Sequence, residues 1–123
     1  MGYRSTGMQN LMRIESLIAN NIQNILQKEN GNQNHIYLYN EGELWVAFEK
    51  SAFQLEQISD DINTTMVMRL KDRPFPLVFN TISDTKVQGL CKQKRTLQKL
   101  IQISASPMDN EMFNNWYRDL VTE

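Results

Sequence analysis

Lys92, Arg95 and Lys99 stand at i, i+3 and i+7, the spacing that places three side chains on one face of a helix. Cations so arranged can meet successive phosphates and release the counterions condensed on them. Lys94 lies among them, and Arg69, Lys71 and Arg73 stand just before a stretch broken by Pro74 and Pro76. Arginine presents a planar fork that can bind phosphate oxygens in pairs. Between residues 69 and 99 there are eight basic residues against two acidic ones, which leaves −7 for the remainder of a chain whose net charge is −1. A nearly neutral protein can in this way turn a basic face to a polyanion. The candidate nucleic-acid contacts are therefore Arg69, Lys71, Arg73, Lys92, Lys94, Arg95 and Lys99. A solvated helix face with no ligand gives the same pattern.

Other chemistries lack their parts. Glu41 and Glu43 flank Gly42 on a predicted turn, and Asp60–Asp61 is a second loop pair, but neither brings further ligands or a partner base. His35 is the only histidine and Cys91 the only cysteine, so neither a zinc site nor a Cys/His couple has its helpers. No Gly-rich phosphate loop or Ser-His couple is present. The expectation is a protein that is not an enzyme and uses no cofactor or metal. A single cysteine permits no internal disulfide and suits a reducing cytoplasm. No apolar run approaches the roughly 20 residues of a membrane span.

Elements must position these residues. At 123 residues the length fits one domain, residues 1–123. Met8, Leu11, Met12, Ile18, Ile22 and Ile25 recur at helical spacing and predict an N-terminal helix over residues 6–27, stopped near Gly31. Residues 35–39 and 44–48 are β-rich runs around a Gly-containing turn, and predict a hairpin. The second run is apolar throughout, as befits a central strand covered on both sides, with Trp45 in the core. A short helix over 51–58, strands over 64–70 and 77–79, and a helix capped by Ser83 follow, with Val87, Leu90, Cys91, Leu97 and Ile101 turned inward. Residues 100–104 fit either the end of that helix or an edge strand. Ser106 and Pro107 open a last helix, 107–121, with Met112, Phe113, Trp116, Tyr117 and Leu120 as its apolar stripe. The predicted fold is α/β (α+β), a mixed sheet of four to five strands covered by helices, in the order α-β-β-α-β-β-α-(β)-α.

The segment Ile36-Tyr37-Leu38-Tyr39, a short turn, then Gly42-Glu43-Leu44-Trp45-Val46-Ala47-Phe48-Glu49-Lys50-Ser51-Ala52 resembles the N-terminal mismatch-recognition domain of MutS-type DNA repair proteins. Gly42, Glu43, Trp45, Phe48 and Ala52 fall at matching places, and Pro74-Phe75-Pro76-Leu77 resembles that family's Pro-x-Pro-Met stretch. The likeness covers about residues 36–99. Leu44 stands where the family has its stacking phenylalanine, and Val46 where it has its base-contacting glutamate. Leucine cannot stack and valine accepts no hydrogen bond. The resemblance therefore implies the scaffold and a nucleic-acid setting rather than mismatch readout. Stand-alone proteins of this likeness accompany reverse transcriptases in mobile retroelements, and this chain looks like such an accessory.

Two functional readings follow. One is a non-catalytic module that binds structured RNA or DNA through the 69–99 surface, within a complex that includes a protein such as a reverse transcriptase. The other is a protein-interaction subunit without nucleic-acid contact, docking a partner or a second copy of itself through Phe113, Trp116 and Tyr117 on the last helix, or through the Met-rich first helix.

Overall fold

The apolar run Leu44–Phe48 becomes the middle strand of a five-stranded sheet. The computed structural model describes residues 2–59, 65–71, 73–91 and 99–122, with the backbone alone for 2–10 and 91. The elements are α1 (Gly2–Asn30), β1 (His35–Glu41), β2 (Leu44–Phe48), α2 (Glu49–Ile58), β3 (Met66–Met68), β4 (Leu77–Ser83), α3 (Asp84–Cys91), β5 (Leu100–Ser104) and α4 (Asn110–Val121). The sheet order is β3-β4-β2-β1-β5. The α+β class and the element order agree with the sequence. Every pairing is antiparallel rather than mixed, because β1–β2 and β3–β4 each double back and β4 runs back along β2.

Alternation along the strands divides the core. In β2, Trp45 and Ala47 point to one face, Val46 and Phe48 to the other, and all four are fully buried. On the Val46 face lies α1, whose Ile14, Ile18 and Ile25 pack over Tyr39, Val46, Phe48, Leu77 and Phe79. On the Trp45 face, Ala52 and Leu55 of α2 and Val87 of α3 cover Ile36, Leu38, Trp45, Ala47 and Ile82. Each such side chain removed from water contributes about 1.5–3 kcal/mol. The β1–β2 turn places Gly42 at φ +73°, a left-handed value at its first central position that a side chain would disfavour.

Some boundaries differ from those predicted. β4 extends to Ser83, since Asn80, a poor strand former, pairs with Ala47 and donates its amide to the Ala52 carbonyl at 3.1 Å. Ser83 caps α3 as predicted, its hydroxyl accepting from the Lys86 amide. Residues 100–104 form an edge strand, so Ile101 is a strand residue and not the end of the preceding helix. The last helix begins at Asn110, capped by Asp109, and not at Ser106-Pro107. Residues 105–108 are instead held extended: Ala105 and Met108 donate backbone amides to the carbonyls of Asn34 and Gln33, and the Ser106 carbonyl accepts from Gln54.

Trp45 has no exposed surface, and its indole N–H is satisfied by Asp84 Oδ1 at 2.8 Å. Replacing Asp84 by Ala strands that donor inside the core. We expect Asp84→Ala to lower unfolding stability in urea by about 1–3 kcal/mol, and Asp84→Asn, which keeps an acceptor, by less.

Candidate functional site

Two surface concavities flank the C-terminal half of α1, and the larger gathers most of the polar groups that could engage a ligand. It is a groove of about 1020 Å³ between α1 and the β1–β5 side of the sheet. It exists because α1 covers β1, β2 and the apolar side chains of β4 and reaches β5 only in part. Leu100 of β5 is only partly covered, and Gln102, which alternates to the same side, is exposed. The floor includes Tyr39, Asn40 and Glu41 of β1 with Leu100. The α1 wall carries Arg13, Asn20, Asn21, Asn24, Gln27 and Lys28, and Lys99 closes the groove from the start of β5.

Three cations from two distant segments thus line one concavity. Arg13 crosses the hairpin turn, where a Cβ on Gly42 would lie 2.8 Å from its guanidinium. Lys99 joins it at the hairpin end, its carbonyl accepting from the Asn40 amide at 2.8 Å. Lys28 sits at the other end over the Tyr37 ring, 5.6 Å from the centroid. Glu41 lies between the hairpin-end cations. Partial burial raises its carboxyl above the ordinary range, and Arg13 and Lys99 pull it back down. Asn20, Asn24 and Gln27 are exposed at i, i+4 and i+7, one stripe of neutral donors and acceptors. The Asn21 amide, in contrast, already donates to the Leu17 carbonyl.

Among the described residues, Arg69, Lys71, Arg73 and Lys99 do not form one surface. Arg69 and Lys71 are exposed just after β3, one edge strand, whereas Lys99 enters β5, the other. Four strand spacings separate the edges, roughly 19 Å. The two groups also sit at opposite ends of the strands, since Met68 pairs with Leu77 near Phe48 while Lys99 is level with Asn40 and Trp45. Lys99 therefore does not lie on a helix face with Lys92 and Arg95; Lys92, Lys94 and Arg95 lie outside the described residues. Arg73 has a different setting, facing carboxylates in the second cleft. No role for the polar side of α1 was read from the sequence. Arg13, Asn20, Asn24 and Gln27 fall at i, i+7, i+11 and i+14, a stripe that helical periodicity alone could have picked out.

The second cleft, about 650 Å³, lies at the β2–α2 elbow and is lined by Glu29, Glu49, Lys50 and Arg73 among others. Glu49 turns the chain at φ +49°, a strained value for a residue with a side chain. Its Oε2 accepts from the Val78 amide at 2.9 Å. Glu29 is buried and accepts from the Ser51 amide at 2.8 Å, the Ser51 hydroxyl at 2.5 Å and the Asn32 side chain at 3.3 Å. Burial pushes the Glu29 carboxyl up to about 7, against hydrogen bonds that all favour the charged form. Burial also takes Glu49 to about 7, opposed by its amide partner and Arg73 and reinforced by the nearby charge of Glu29. With both oxygens engaged inside the fold, Glu29 anchors α1 to the elbow, while Glu49 ties the elbow to β4.

Phe113, Trp116 and Tyr117 turn much of their surface inward. Phe113 and Trp116 contact the Phe53 ring, the Trp116 indole donates to Glu56, and the Tyr117 hydroxyl donates to the Pro76 carbonyl at 2.5 Å. Val46, at the position of the resembled family's glutamate, is fully buried beneath α1. Among the described residues no group of three or more His, Cys, Asp or Glu could hold a metal ion, and no helix is long and apolar enough to cross a membrane. No protein-family model, curated protein or solved structure matches the chain.

The two buried carboxyls set a pH dependence. Each is protonated in the folded state up to about pH 7 but only to about 4.5 when unfolded, so the folded state holds the extra protons between those values and stability falls as pH rises through that window. The loss is on the order of 2–3 kcal/mol per carboxyl. We expect the urea midpoint to be higher at pH 5 than at pH 8. Glu49→Gln, which keeps an acceptor for Val78, should shrink that difference.

Proposed function

We propose that this protein is a non-catalytic nucleic-acid-binding module whose contact surface is the groove between α1 and the β1–β5 side of the sheet. The observation that carries the reading is the meeting of Arg13, Lys28 and Lys99 along one concavity with exposed amides between them. Cations at the two ends of a groove can hold a phosphate backbone that runs through it, while Asn and Gln side chains between them can bond both donors and acceptors on bases. Glu41 reduces the local positive field and tempers affinity. The exposed Arg69 and Lys71 at the far corner add a non-specific attraction. A cytoplasmic location accords with the single cysteine. The likeness to small accessory proteins of retroelements extends the reading to a nucleoprotein complex with a protein such as a reverse transcriptase, which co-purification from the native host would test.

A second reading has its own support. Met66, Val67 and Phe75 are exposed apolar side chains on or beside the β3 edge strand, and an open edge with apolar side chains is a place where another chain can pair.

The test is titration of RNA and DNA across a salt series. Reversing Arg13, Lys28 and Lys99 together to Glu should weaken binding at least tenfold near 0.1 M salt and reduce the salt slope by about two to three units. Reversing Arg69 and Lys71 should have a smaller effect, and Glu41→Gln should tighten binding severalfold at low salt. No binding by the unaltered protein at low salt, or equal losses from the two reversals, would overturn the assignment of the groove.

A further inference from the structure

We infer that the groove takes a single strand with its bases unpaired, and that Asn20, Asn24 and Gln27 read base edges there; this rests on the nucleic-acid reading above. The cations are sparse and stand at the ends. Arg13 and Lys28 are fifteen residues apart on α1, roughly 22 Å along the helix axis. Between them lie neutral amides, and Glu41 lies on the floor near Arg13. A surface built for the phosphates of a duplex needs cations along its length, whereas amides suit the hydrogen-bonding edges of bases.

The shape points the same way. A helix that reads duplex DNA enters the major groove with its convex face outward. Here the amide stripe faces a concavity closed on its other side by Lys99 and Leu100. Its volume, about 1020 Å³, is at the upper end for small-ligand sites and matches a few nucleotides. Stacking has little part: Tyr39, on the floor, is only 8% exposed. Recognition through amide edges gives base preference, whereas recognition by stacking tolerates any base. Even at the stacked duplex rise of about 3.4 Å per nucleotide a 22 Å groove spans at most six or seven, and a strand extended to present its base edges spans fewer, in keeping with the volume.

The experiment compares fluorescein-labelled single-stranded RNA and DNA oligomers of 3 to 12 nucleotides, in the four homopolymer sequences, with a duplex of matched composition. We expect affinity to level off at or below six or seven nucleotides, at least tenfold preference for single strands over duplex, and a difference among homopolymers. Substituting Asn20, Asn24 and Gln27 together by Ala should flatten that difference while leaving the salt slope unchanged. These are exposed positions, and an unaltered thermal transition checks that the variant is folded. Duplex bound as tightly as single strands, or a triple variant with unchanged base preference, overturns this inference and leaves the proposed function standing. Binding to neither form removes both.

Discussion

The buried carboxyl of Glu29 is the fixed point of this molecule. It sits in the last turn of α1, where the carbonyl end of the helix dipole disfavours a negative charge, and it is taken out of water to meet Ser51 at the start of α2. Ser51 in turn accepts from the Tyr37 backbone amide and from Asn32, whose own side chain also closes the α1–β1 turn against His35. One residue therefore ties together α1, β1 and the β2–α2 elbow. With that tie, α1 lies over β1, β2 and the apolar side chains of β4, and the strip along β5 that it leaves uncovered becomes a groove rather than a flat face.

Charge placement follows from the order of strands more than from sequence distance. Segments close in the chain, 69–73 and 99, are sent to opposite corners because β3 and β5 are the two edges of the sheet. Residues far apart, Arg13 and Lys99, are brought together because α1 crosses the sheet beside β1. The net charge of the groove is modest, which fits selective contact better than strong non-specific attraction.

Much of the fold was legible in the sequence. β2 read as central because it is apolar at each position, and the hairpin, the Ser83 cap and the element order followed from turn and capping residues. What was hidden has physical causes. Asn80 disguised the length of β4, since its side chain replaces the packing a strand residue normally supplies with a hydrogen bond to Ala52. Ser106 and Pro107 imitate a helix start, but their neighbours are bonded to the α1–β1 loop, which no local pattern shows. The site was less legible. A basic cluster can be counted along a chain, but which cations share a surface depends on strand order, and of the predicted contacts among the described residues only Lys99 lines the groove. The amide stripe of α1 was visible as periodicity but carries no charge to draw notice.

Gly42 joins two properties usually set by separate residues. Its left-handed backbone makes the hairpin turn, and its lack of a side chain leaves the space the Arg13 guanidinium occupies. The shape of a loop and the position of a cation on a distant helix therefore both bear on the same residue. A lineage that acquired bulk at this one site would strain the strand reversal and displace the guanidinium at the groove entrance in the same step.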